Sequence, residues 1–206
     1  DWDGLRVNRP TEYVVVRDCI ARQGAGLFTL GSETSGSIRH VYVSNIQGYG
    51  TKNGLNIKSA TNRGGTVEDI YMENIKMESV GTFITISMNW NPAYSYSKLP
   101  AGYTEETLPP HWKKMLTKVE PESKGIPGFR NIHLKNIDIK GAKKAISVSG
   151  LEESIVENVT LKNVHITAET AGSINYSNNW ILDNVNINAI DNSTLKISNS
   201  KNVNFS

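Results

Sequence analysis

Little in this chain is available for crosslinking, membrane insertion or nucleic-acid binding. It has a single cysteine in 206 residues, Cys19, which excludes an internal disulfide and leaves the redox compartment open. Cys19 sits in an apolar run that reads as a strand, where a buried small hydrophobe is expected and a reactive thiol is the alternative. No apolar stretch approaches the roughly 18 residues of a membrane span, so no membrane partner is expected. The formal net charge of +2 is too small for a nucleic-acid binder, which needs a concentrated basic face. No proline-, glycine- or serine-rich tract divides the sequence, and a single domain over residues 1–206 is expected. The four histidines, His40, His111, His133 and His165, have no metal-ligand spacing, and nothing implies a metal or cofactor.

What the chain has in abundance is asparagine, and it recurs in register. Six segments fit one template: YVVVRDCIA from Tyr13, HVYVSNIQG from His40, DIYMENIKM from Asp69, NIHLKNIDI from Asn131, NVTLKNVHI from Asn158 and NWILDNVNI from Asn179. Each runs polar, apolar, any, apolar, any, then Asn or Asp, then apolar again. A second row keeps the same beat: GLFTLGS at Gly26, GLNIKSA at Gly54, TFITISM at Thr82, AISVSG at Ala145, SINYS at Ser173 and TLKIS at Thr194. Alternation over four to six residues with β-branched enrichment makes strands, not helix faces.

Paired parallel strand rows without a helical spacer describe an all-β fold, a β-solenoid of about seven coils. Asp18, Asn45, Asn74, Asn136, Asn163 and Asn184 are expected to stack as a corner ladder. The beat breaks once, at a long loop insertion near residues 89–128 that carries Trp90, Tyr94, Tyr96, Tyr103 and Trp112, with a short helix expected in PPHWKKMLTKV. Aromatic faces on such a loop suit sugar rings; pinning the loop to the solenoid wall is the alternative. At the other end the first strand is reached within a dozen residues, with no amphipathic helix expected before it.

The order of motifs carries more. GAGLFTLGSETSGSIRHVYVSN, then GLNIKSATNRGGTVEDIYMENIKM and FRNIHLKNIDIKGAKKAISVSGL, resembles the C-terminal half of polygalacturonase-like hydrolases of glycoside hydrolase family 28. The resemblance implies a right-handed parallel β-helix and an inverting hydrolase of pectin or rhamnogalacturonan, partnered by an acidic plant polysaccharide, secreted or periplasmic, and similar to bacterial members. It implies catalytic aspartates in N-T-D and G-D-D motifs, a histidine in G-H-G, and an arginine and lysine in R-I-K.

This sequence departs from that pattern. N-T-D and G-D-D are missing; Ala25 takes the histidine's place and Asn56 the arginine's, while Lys58 keeps the lysine. Asp1 and Asp3 in DWDG are the candidate catalytic carboxylates; alternatively they belong to an S-G-[KR]-D-x-D-G stretch just downstream of the catalytic pair. Lys58, Arg63, Glu33, Asn56 and Ala25 are the candidate substrate-binding positions, with Lys58 and Arg63 as carboxylate binders. Two readings follow: the C-terminal part of a longer hydrolase, or a catalytically silent β-helix that binds polysaccharide.

Overall fold

The computed structural model describes residues 2–92, 99, 101–117 and 119–206. The strands are β1 (Thr11–Arg22), β2 (Phe28–Leu30), β3 (Ile38–Tyr49), β4 (Asn53–Lys58), β5 (Thr66–Glu78), β6 (Thr82–Ser87), β7 (Gly128–Ser149), β8 (Val156–Asn175), β9 (Ser177–Ala189), β10 (Lys196–Ser198) and β11 (Lys201–Phe205). Among the described residues every strand pairing is parallel, and each strand lies on the one a full coil away. The result is a right-handed parallel β-helix, the hand that parallel connections adopt. Six windings run from β1–β2 to β9–β10, and β11 begins a seventh.

Register follows the sequence template. Val41 pairs with Ile70, Ile70 with Ile132, Ile132 with Val159 and Val159 with Trp180, one apolar column down the tube. These five side chains are almost wholly buried, and burial of each large apolar group contributes about 1.5–3 kcal/mol. The short row supplies the facing wall, with Leu55, Ile57, Ile84 and Ile86 nearly free of solvent contact. Cys19, expected to be buried, is instead exposed, because among the described residues β1 pairs with β3 alone and ends the sheet.

The corner ladder forms along its whole expected length. Asn45 donates its side-chain N–H to Asp18 at 3.0 Å, Asn74 to Asn45 at 3.2 Å, Asn136 to Asn74 at 3.2 Å, Asn163 to Asn136 at 3.1 Å and Asn184 to Asn163 at 3.0 Å. All six residues have left-handed φ, between 51° and 57°. Asparagine tolerates that backbone better than other side chains, which is why it recurs at the bend. A second ladder occupies the template's first position, where Asn131 donates to Asp69, Asn158 to Asn131 and Asn179 to Asn158. Its upper rungs are chemically different: His40 Nδ1 lies 3.4 Å from Asp69, and the His40 ring stacks on Tyr13.

Charge also locks the register. Glu12, Arg39, Glu68, Arg130 and Glu157 occupy successive coils at one outward position. Arg39 pairs with Glu12 at 2.6 Å and Arg130 with Glu68 at 2.6 Å. The Glu12 hydrogen bond raises the Arg39 pKa above its ordinary value.

Among the described residues, two α-helices and one 3-10 turn, Glu122–Gly125, depart from the strand beat. α2 (Pro110–Leu116) forms where the prolines of the insertion place it. The other, α1 (Trp2–Val7), precedes β1 where no helix is expected, because six residues are too short to show a periodicity. Gly4 of α1 packs so closely on Ser35 that a Cβ there would lie 2.4 Å from the serine's. Among the described residues, no helix is long and apolar enough to cross a membrane.

Candidate functional site

Successive side chains of a strand point to opposite faces. On β4 this sends Leu55 and Ile57 inward, so Asn56 and Lys58 face outward. Asn56 sits between Thr29 of β2 and Thr85 of β6 in the ladder. Neighbours nonetheless cover it to 8% exposure. Lys58, at the end of the strand, is half-buried.

Two loops meet beyond that strand end. Gly31 follows β2 with φ of 93°, and a Cβ on it would lie 2.0 Å from the Lys58 carbonyl oxygen; only glycine permits this approach. Thr34 shares a 2.6 Å hydrogen bond with Ser59 and donates to the Gly64 carbonyl at 2.8 Å. The motif pieces G-S-E-x-S-G and N-R-G-G are therefore two halves of one packed unit.

Arg63 is bound into that unit. Its Nη1 donates to Ser32 Oγ at 2.6 Å and pairs with Glu33 at 2.5 Å. The Arg63 side chain is 11% exposed, whereas Glu33 is 66% exposed. Among the described residues, Arg63 Nε and the neighbouring Asn62 Oδ1 are buried without a partner. Arg63 and Glu33 are thus adjacent, as candidates for one site should be, but they spend their charge on each other.

Lys58 differs. Its Nζ lies 4.1 Å from the centroid of the Trp90 ring, an ammonium–aromatic contact worth about 0.5–1 kcal/mol at partly exposed sites. The Trp90 backbone N–H donates to the Ser59 carbonyl at 3.0 Å, which clamps the start of the insertion against the end of β4. Among the described residues, no carboxylate forms an ion pair with Lys58. Trp90 was legible as an aromatic of the insertion, but its seat on Lys58 was not, because no sequence spacing links them.

Ala25 lies at the opposite end of the strand row and is exposed. Its carbonyl accepts from Asn53 Nδ2 at 2.9 Å, and Asn53 Oδ1 accepts from Thr85 at 2.7 Å. Asn53 and Lys58 bracket β4, so the Ala25 turn and Lys58 stand about 16 Å apart along the strand. Of the candidate carboxylates, Asp1 lies outside the described residues. Asp3 belongs to α1, and its side chain lies outside them as well. Tyr94 and Tyr96 of the insertion also lie outside them, while Tyr103 and Trp112 pack ring against ring at 5.0 Å.

Elsewhere, a shallow groove of about 510 Å³ follows the asparagine ladder, lined by Asn45, Asn74, Lys76, Asn136, Asp138 and His165 among others. It belongs to β3, β5, β7 and β8, away from the β2–β4–β6 row. His133 stacks on Tyr71 at 5.0 Å, and burial lowers its pKa while Asp69 opposes the shift. Among the described residues, no group of three or more His, Cys, Asp or Glu is placed to hold a metal ion.

Comparison with known proteins adds an independent line. Residues 2–103 match the family model for glycosyl hydrolases family 28. A probable polygalacturonase of Vitis vinifera is 30% identical over 159 residues, covering 71% of this chain and 31% of that protein. An endo-polygalacturonase of Pectobacterium parmentieri is 29% identical over 160 residues, covering 77% of this chain and 30% of that protein. The structure of a Yersinia enterocolitica family 28 exopolygalacturonase superposes with a TM-score of 0.59 at 19% identity, covering 91% of this chain and 30% of that one. The chain therefore spans about a third of the length of the curated relatives it matches.

Proposed function

The chain belongs to glycosyl hydrolases family 28, and we propose that it holds an acidic plant polysaccharide, galacturonan or rhamnogalacturonan, as the C-terminal part of a polygalacturonase-like hydrolase. The observation that carries this reading is Lys58. It is an outward, half-buried ammonium with no carboxylate partner among the described residues, at the place where the family motif has its lysine. A compact cation at the end of a rigid strand suits a single carboxylate of a uronic acid. Glycoside inversion requires one carboxylic acid to protonate the leaving oxygen and a carboxylate to activate water on the far side of the ring. Neither N-T-D nor G-D-D, the motifs to which the resemblance assigns that pair, occurs in this sequence. On this reading the protein is secreted or periplasmic, since a cell-wall polymer is met outside the cytoplasm.

A silent binder is the second reading, and two positions favour it. Ala25 offers only a methyl group where the motif has an imidazole. Asn56 is covered and has no charge with which to clamp a carboxylate bidentately. The chain as it stands is therefore expected to bind oligogalacturonides without releasing reducing ends from polygalacturonate. Turnover above buffer that disappears in Asp3→Asn would contradict the silent reading and assign Asp3 to the reaction. Absence of any oligogalacturonide binding would contradict both readings.

A further inference from the structure

The insertion breaks the repeat immediately after β6, and its first large side chain closes over the candidate cation. Trp90 is fixed twice: its backbone N–H is bonded to the Ser59 carbonyl at 3.0 Å, and its ring carries Lys58 Nζ at 4.1 Å. Ser59 is itself fully buried and bonded to Thr34, which holds the Gly64 carbonyl. The indole is thus anchored to the same packed unit that seats the Lys58 backbone. A free lysine explores many rotamers, and ordering it for a ligand costs side-chain entropy. An ammonium already resting on an aromatic face has met part of that cost before ligand arrives.

We propose that Trp90 is a positioning residue for Lys58, holding the ammonium where it receives the carboxylate of a uronic acid, so that the insertion supplies half of the site. This rests on the reading of Lys58 as a carboxylate binder. It adds that the lysine depends on a residue outside the repeat. The indole contributes through the lysine and not by its own contact with the sugar, so its effect should vanish when the lysine is absent.

The test is a calorimetric titration of the galacturonate trimer, with its methyl ester as control, into the wild type, Trp90→Ala, Trp90→Phe, Lys58→Ala and the Trp90→Ala/Lys58→Ala double variant. Trp90→Ala is expected to weaken binding of the acid about two- to fivefold, the range an ammonium–aromatic contact supplies. Trp90→Phe should recover most of it, the ester should be indifferent, and Trp90→Ala should add nothing to Lys58→Ala. Affinity unchanged or tighter in Trp90→Ala, with Lys58→Ala still weakened, overturns the role of Trp90 alone. So does a Trp90→Ala effect that persists undiminished in the Lys58→Ala background. Unchanged affinity in Lys58→Ala overturns the underlying reading instead. Should Trp90→Ala lose its β-sheet circular dichroism, tryptophan emission decides: trimer binding should shift it in the wild type and not in Trp90→Phe. An identical shift in both, or none in the wild type, overturns the proposal.

Discussion

Asn136 donates its side-chain N–H to Asn74 at 3.2 Å, across 62 residues of intervening sequence. The bond spans the insertion as if it were absent. Either side of it the ladder continues with separations of 29 residues, from Asn45 to Asn74, and 27, from Asn136 to Asn163. The solenoid therefore treats the insertion as an excursion from a coil, and the coil resumes in register at β7.

Asn136 also accepts from Asn163 and has φ of 56°. Replacement by alanine removes both bonds and puts an alanine into a left-handed backbone, at a combined cost of about 2–5 kcal/mol. Asn136→Gly should recover part of this loss, because only the hydrogen bonds are then missing. Urea denaturation of the three proteins measures it; equal stability of Asn136→Ala and wild type would mean that the ladder is ornamental.

The loop unit that seats Lys58 depends on Gly65, whose φ is 70° and whose added Cβ would lie 1.8 Å from the Thr34 carbonyl oxygen. Backbone atoms are what it meets, so no side chain can swing aside. Gly65→Ala should destabilise the protein by more than the ~1 kcal/mol of a simple left-handed penalty. It should also weaken oligogalacturonide binding along with Lys58→Ala. A thermal melt and a titration that both match the wild type would show that the two loops are not coupled.

His133 gives a pH signature. Burial against Tyr71 lowers its pKa from the ordinary value of 6.5, so the folded protein takes up that proton less readily than the unfolded chain. Where the unfolded state binds more protons, stability rises with pH. This contribution therefore falls away as pH drops through and below the ordinary histidine value. His133→Gln should lose less stability than the wild type between about pH 7.5 and 5. A stability difference between the two proteins that stays constant over that range would contradict the assignment.

Much of this architecture was readable from residue types alone. Asparagine at one fixed place in five segments, with Asp18 in the sixth, marks a bend that wants left-handed φ, and alternating Val and Ile mark the walls of the tube. The second ladder was harder to see, because Tyr13, His40 and Asp69 share a backbone conformation with Asn131 but not a side-chain chemistry. The pairing of Arg63 with Glu33 joins residues 30 apart on two irregular loops, and nothing in the spacing announces it. Helix α1 is too short for a period, and the contact of Trp90 with Lys58 arises from where the insertion leaves the coil. The positions of Lys58, Asn56 and Ala25 came from the resemblance; their separation along β4 came only from the fold.

The most direct measurement is a crystal structure of this chain with a galacturonate trimer bound. The expected density places one sugar carboxylate within hydrogen-bond distance of Lys58 Nζ, with the indole of Trp90 still beneath the ammonium. A trimer lying in the groove along Asn45, Asn74, Asn136 and Asn163, with Lys58 untouched, would contradict the account.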